Sequence, residues 1–206
     1  MKAVLLDWTH NKHWVTIWLS EMFMDWLAKS IPNIEVERFD LLNWNIKFCN
    51  GCNLCTQDID PTGATCPIRD DFEMIKKATV EADIVILVSP IYEYSVSSAM
   101  KRFLERCLTM VTFKFWVVPR LKPVSWKIWI ILCSSGAPFP FNHLMWITRY
   151  PRFILRMACG LFWCEKIYSI YAWWMRISDK MKLKWEKKAH ELGLKTGERI
   201  RKTRYL

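Results

Sequence analysis

Three short apolar runs rich in branched side chains lie at residues 3–6, at 83–88 (opened by Asp83) and at 128–133. Each is bounded by polar or turn residues, and runs of this kind form strands covered on both faces. Between them the apolar period lengthens to that of a helix. Val15, Trp18, Leu19, Met22 and Trp26 share one stripe, and a second carries Val96, Ala99, Met100, Phe103, Leu104, Cys107, Leu108 and Val111. Alternating buried strand and amphipathic helix predicts an α/β fold with a parallel sheet wound on both sides. Residues 33–40 alternate more strictly, Ile34 and Val36 against Glu35 and Glu37, which suits a sheet edge, and a last strand is expected near 166–172. A final helix starts at Ser178, a good cap with Asp179 in its first turn, and places Met181, Trp185, Ala189, Leu192, Thr196 and Ile200 on one stripe.

No repeat, low-complexity tract or Gly/Ser linker interrupts this pattern, so a single domain over 1–206 is the simplest organisation. Two stretches depart from the alternation and are long for connections. Residues 41–69 hold a cysteine-rich loop. Residues 137–163 are heavy in aromatics and arginine, and read as a helix flanking the site or as a contact surface for a second subunit. Phe153 and Leu155 have a core reading as well.

At 206 residues and 52% hydrophobic, the chain can bury a full core, which excludes disorder and fibrous repeats. A membrane span is not expected, because Arg149, Arg152, Arg156, Glu165, Lys166 and Arg176 interrupt the richest apolar stretches. The first apolar run is too short for a signal peptide and ends at Asp7, so a cytoplasmic location is expected. Charge is uneven: residues 1–100 carry −6 and residues 101–206 carry +16. A basic half could face phosphate-bearing cofactors, nucleic acid or anionic lipid, but no nucleic-acid motif accompanies it, and a solvated surface bias accounts for it. In a reducing compartment the eight cysteines read as ligands, redox groups or packed thiols rather than as a disulfide framework.

The strongest local signal is the spacing Cys49-x2-Cys52-x2-Cys55-x10-Cys66. Three thiols within seven residues, around a loop containing Gly51, can face one centre, and Cys66 completes a four-thiolate set. Soft thiolates select iron–sulfur clusters or zinc. Zinc sites usually space their ligands as two separated pairs, so the stepped triplet leans toward iron and sulfur, with unligated thiols on a structural loop as the other reading. Cys107, Cys133, Cys159 and Cys164 share no spacing and read as packed thiols.

A second signal, Ser89-Pro90-Ile91-Tyr92-Glu93-Tyr94-Ser95, directly follows the central strand. In open α/β sheets ligands sit beyond the carboxyl ends of strands, so this is where a planar cofactor would rest. Ser134, Ser135 and Gly136 follow the next strand and would close over it from the other side. No Ser-His-Asp or paired-carboxylate arrangement is visible.

Together with Asp70-Asp71-Phe72 and the segment 100–106, these motifs resemble the flavodoxin-like NAD(P)H-dependent FMN reductases, and among them the iron–sulfur flavoproteins. The likeness is clear over 49–106. It implies a flavodoxin-like, doubly wound, five-stranded parallel sheet in the order 2-1-3-4-5, with the cysteine loop inserted after the second strand. It further implies FMN at the carboxyl edge, NAD(P)H as electron donor, a small-molecule or protein electron acceptor, and a homodimer or higher oligomer. The cofactor contacts would be Thr9, Asn11 and Thr16 at the phosphate, Ser89, Pro90, Ile91, Tyr92 and Tyr94 at the ring, and Ser134, Ser135 and Gly136 opposite. Cys49, Cys52, Cys55 and Cys66 would hold a [4Fe–4S] cluster. The rival from another class is a binding protein that keeps the fold and the cysteine loop without FMN.

The phosphate loop of such proteins is rich in Gly, Ser and Thr. Here Trp8 and Trp14 stand where glycine is expected, and Trp126, Trp173 and Trp174 also depart from the pattern. The chain has thirteen tryptophans and six glycines, where usage of about 7% would give roughly fourteen glycines. One reading is that UGA codons translated here as tryptophan specify glycine in the native host.

Overall fold

The structure, a computed structural model, describes residues 1–8, 15–57, 66–110, 112–114, 118–120, 127–138, 140–161, 164, 166–173 and 178–204. In chain order the elements are β1 (Lys2–Asp7), α1 (Val15–Ser30), β2 (Glu35–Asp40), α2 (Leu54–Gln57), α3 (Phe72–Glu81), β3 (Ile84–Tyr92), β4 (Ser95–Val96) and α4 (Ser98–Arg106). A 3-10 turn (Cys107–Met110) precedes β5 (Thr112–Lys114), β6 (Val118–Arg120), β7 (Ile128–Ser135), α5 (Phe141–Leu144), α6 (Arg149–Leu161), β8 (Lys166–Trp173) and α7 (Asp179–Arg204).

The five parallel strands follow the order β2-β1-β3-β7-β8, which is the expected 2-1-3-4-5 winding. Two features were not anticipated: β4 adds a short antiparallel strand to β3, and β5 and β6 form a separate hairpin sheet. The centre of the sheet is buried because β3 and β7 are apolar on both faces. On one face Val4, Leu6, Val85, Leu87, Trp129 and Ile131 meet α3, α4 and α6. On the other, Ala3, Leu5, Ile84, Ile86, Ile130 and Leu132 meet α1 and α7.

The buried side of α1 is Thr16, Ile17, Leu19, Ser20, Phe23, Leu27 and Ser30, one position away from the expected stripe. The shift arises because α1 packs on the sheet and beside α7 on the same face, so Trp18, Met22 and Trp26 flank the sheet-facing side. The α1–α7 crossing is close. A Cβ added at Gly193 would stand 2.8 Å from Trp26 Cβ, and one at Gly197 2.6 Å from Ser30 Cβ, so both glycines let the helix backbones approach. The α7 stripe is as expected, with Trp185, Ala189, Leu192, Thr196 and Ile200 buried. The second expected stripe breaks at its end: the helix stops at Arg106, Leu108 is exposed, and Val111 lies outside the described residues.

Residues 137–163 contain α5 and α6, with Leu155 in the core and Phe153 62% exposed. No helix among the described residues is long and apolar enough to cross a membrane.

Candidate functional site

The carboxyl edge of the sheet is stepped. β1 pairs with β3 only as far as Leu87, whereas β3 continues beside β7 through Pro90 and on to Tyr92. Beyond Leu87 the side of β3 toward β1 no longer carries ladder bonds to it, which is where a proline lacking an N–H is tolerated. This step opens beyond the end of β1, beside the continuing β3.

The expected 89–94 loop is therefore mostly strand. It reverses at Glu93 and Tyr94, whose φ values of 43° and 61° are both positive, the signature of a two-residue type I′ hairpin turn. Non-glycine residues pay a steric cost in that region, so two in succession form a strained, specified turn. The Ser89 side chain does not face outward. Its hydroxyl donates to the Pro90 carbonyl at 2.9 Å and accepts from the Ser97 amide at 3.0 Å, tying the turn to the start of α4. Ser97 in turn caps that helix by accepting from the Met100 amide at 3.3 Å. Ser89 thus shapes the turn, and outward contacts fall to the backbone and to Tyr92 and Tyr94, which are 38% and 41% exposed.

The first turn of α1 reaches the same rim. Thr16, fully buried, brings its hydroxyl 2.5 Å from that of Ser134 at the end of β7. Ser135 accepts from the Ala137 amide at 3.2 Å and closes the turn around the exposed Gly136. The structure thus brings Thr16, Ser134, Ser135 and Gly136 together. Thr9, Asn11 and Trp14 lie outside the described residues, as do Trp126 and Trp174.

Trp8 does not crowd the rim as expected. It continues the alternation of Val4 and Leu6, packs with them on the α3/α4 side, and meets Tyr92 edge to face at 5.4 Å. Strand periodicity turns the indole away from the α1 side. Trp173 likewise has a partner, meeting Trp185 edge to face at 4.6 Å. Among the described residues Trp146 is the tryptophan held in the left-handed region, at φ 59°.

Next to the rim, Asp7 is almost fully buried. Burial pushes its carboxyl up to about 6, and Arg38, which bonds it at 2.6 Å and also reaches Glu21 at 2.7 Å, opposes the rise. This network escaped the sequence reading, although an aspartate ending a buried apolar strand was its visible trace.

The cysteine loop is held at its two ends. Arg106 and Asp70, both essentially unexposed, form a two-pronged ion pair at 2.6 and 3.2 Å. Arg106 also donates to the Lys47 carbonyl at 3.0 Å and the Ile68 carbonyl at 3.4 Å, while Asp70 accepts from the Lys47 and Phe72 amides. Asp71 accepts from the Asn45 amide at 2.8 Å. All four candidate ligands lie on the chain between these anchors. Burial alone would raise the Asp70 carboxyl, but Arg106 and the two amides hold it below its usual range.

Within the loop, Gly51 and Asn53 take positive φ and turn the backbone sharply. Cys49 and Cys52 are exposed, Cys55 is partly buried and Cys66 is buried, and none forms a disulfide. Burial raises the Cys55 thiol, and Cys49, Cys52 and Cys66 add to the rise. The loop thus offers an all-thiol set of candidate donors. Among the described residues, however, no three His, Cys, Asp or Glu side chains are gathered as metal ligands. Cys107, Cys133 and Cys159 are buried thiols raised by burial, as expected of packing groups.

A doubly wound sheet with three turns meeting at its carboxyl rim defines a nucleotide- or flavin-type α/β protein. The family model for NADPH-dependent FMN reductase matches residues 6–139, and the chain belongs to that family. An iron–sulfur flavoprotein of Archaeoglobus fulgidus is 34% identical over 87 residues, covering 41% of this chain and 37% of the relative. An FMN-dependent NADH:quinone oxidoreductase of Methylorubrum populi is 27% identical over 107 residues, covering 50% and 52%. The chain thus matches only about half or less of the length of these curated relatives. Among solved structures, an NAD(P)H:quinone oxidoreductase from Methanothermobacter marburgensis superposes with TM-score 0.74 at 15% identity, covering 94% of this chain and 98% of that one. An FMN-dependent NADH-azoreductase from Bacillus anthracis in complex with FMN gives 0.70 at 11% identity, covering 95% and 98%. At such identities these superpositions establish the shared fold.

Proposed function

We propose that the protein is an FMN-dependent NAD(P)H oxidoreductase that passes electrons to a small-molecule or protein acceptor. The observation that carries this reading is the convergence, at one stepped rim, of the first turn of α1, the Glu93–Tyr94 turn and the Ser134–Gly136 turn. Thr16, with Thr9 and Asn11, would hold the phosphate at the helix N-terminus, where free N–H groups and the helix dipole favour an anion. Backbone groups of 89–94 and of Ser134, Ser135 and Gly136 would bond the edges of the ring, and Tyr92, braced by Trp8, would wall it. When bound, the flavin supplies the acceptance of an electron pair from nicotinamide and its onward release. The chain's own groups bind and orient, and their dipoles favour negative charge at the ring.

We further propose that Cys49, Cys52, Cys55 and Cys66 hold an iron–sulfur cluster. The four thiols suit such a group in their chemistry though the structure does not gather them around one centre, and the Arg106–Asp70 clamp fixes the two loop ends. Anaerobic purification followed by FMN titration tests both assignments. The expected result is a saturable shift of the visible flavin band, with iron and labile sulfide in the same sample. Lack of flavin binding after reconstitution would overturn the oxidoreductase reading. Flavin without iron would remove only the cluster.

A homodimer through the α5–α6 face completes the proposal. Leu144 is 69% exposed, and Phe141, Met145, Tyr150, Phe153 and Met157 are exposed around it, an apolar patch of the kind that marks association. Phe153→Glu is expected to shift the protein from dimer to monomer in light scattering. An unchanged mass would refute this face as the contact.

A further inference from the structure

A cavity of about 250 Å³ lies beyond the flavin rim, along the outer edge of β8 where it is roofed by α5, α6 and α7. Its floor runs from Ser169, opposite Ile131 of β7, to Trp173, opposite Ser135. It is therefore one strand removed from the turns that form the flavin site. Arg152, Lys188 and His143 line it, and among the described residues no carboxylate does.

Two observations show what this cavity lacks. Asn142 is fully buried in its wall, and among the described residues neither its Nδ2 nor its Oδ1 has a hydrogen-bond partner. The Tyr171 hydroxyl, also in the wall, is buried and unpartnered in the same sense. Buried amides in native proteins are almost always paired, so one open at both its donor and its acceptor implies a ligand carrying both complements. The cations are placed rather than merely present. The Arg152 guanidinium stands 5.1 Å from the Tyr171 ring centroid and the Lys188 ammonium 4.7 Å from that of Trp185. Among the described residues neither is in an ion pair, so their charge is open to an anion.

We propose that this cavity is a second ligand site, and that it binds a small aromatic acid bearing a hydroxyl group. The carboxylate would meet Arg152 and Lys188, the hydroxyl at the far end of the ring would both donate to Asn142 Oδ1 and accept from its Nδ2, and the ring would lie against Tyr171 and Trp185. The volume falls below the range of roughly 300–1,000 Å³ typical of larger organic ligands, so it suits a single ring and excludes a dinucleotide or a second flavin. The site does not depend on flavin being held at the rim, and binding is expected with and without added FMN.

Calorimetric titration of para-hydroxybenzoate into the full chain tests the proposal, with inorganic phosphate and para-hydroxybenzyl alcohol as comparison probes. The acid is expected to saturate one site and to bind at least about tenfold more tightly than either comparison probe. Arg152→Gln, a change at an exposed side chain, is expected to weaken the acid by a similar factor. Asn142→Leu should abolish binding while Tm holds or rises, because an apolar group of similar shape replaces an orphaned amide. No saturable binding of the acid, equal binding of the alcohol or of phosphate, or unchanged affinity in Arg152→Gln would each overturn the proposal. The Arg152 variant decides the matter if the Asn142 variant does not fold.

Discussion

Replacing Arg106 with leucine is expected to lower folding stability by about 3–5 kcal/mol, the cost of removing one partner from a buried ion pair. The residue left behind is Asp70, unexposed, with only the amides of Lys47 and Phe72 to share its charge. The carbonyls of Lys47 and Ile68 lose their donors in the same step. Arg106→Lys should recover little, because an ammonium cannot reach both carboxylate oxygens and two carbonyls at once. The pH dependence follows from Asp70, whose folded carboxyl is held below its usual range by Arg106 and the two amides. Its contribution is full above the unfolded pKa and drains as pH falls through the lower folded value. The native protein should therefore lose stability through that acid window, and the leucine variant should be flatter there. Urea denaturation across pH measures both. A second readout is local: proteolytic cleavage between residues 47 and 68 should accelerate in the variant before global unfolding. A loss below about 1 kcal/mol, the level of an ordinary substitution, would refute the clamp.

That clamp marks where the sequence stops being legible. The three central strands could be read directly, because each is an apolar run that declares burial on both faces, the edge strand β2 showed by its alternation, and the α7 stripe announced itself by period. Arg106 and Asp70 lie 36 residues apart, and no local pattern says that a charge in the buried phase of α4 has found its counterion across the loop. The motif residues were noticed as a likeness, whereas their joint role is a tertiary fact. The 89–94 segment misled for a similar reason. Its strand continues past Leu87 only because β7 keeps pairing after β1 has ended. The helix α6 was one of the two readings of residues 137–163, and Pro151 is tolerated in its first turn, where the missing N–H would be unpaired in any case. Asn142 and Tyr171 carry no signal at all in one dimension, since their lack of partners exists only once β8, α5 and α6 are assembled.

Trp14→Gly is expected to tighten FMN binding at least about tenfold, near 1.4 kcal/mol. Trp14 immediately precedes α1, whose first turn carries Thr16 to the rim. A phosphate held there needs backbone N–H groups within hydrogen-bond reach, and glycine permits an approach that an indole obstructs. Trp8→Gly is the informative contrast. Because Trp8 packs with the Val4 and Leu6 face and braces Tyr92, its removal should lower Tm and loosen the ring wall without a matching gain in affinity. If both variants tighten FMN equally, the two indoles obstruct the same space, and the packing role assigned to Trp8 is wrong. The same positions bear on the glycine deficit. Trp146 at φ 59° occupies backbone that costs a non-glycine residue roughly 1–2 kcal/mol, the strain expected where glycine belongs. Intact mass of the protein from its native host should then fall below that of the sequence by a whole number of tryptophan-to-glycine differences. Agreement with the sequence mass would assign every indole to the native chain, and Trp14→Gly would then measure how far the phosphate loop has been closed.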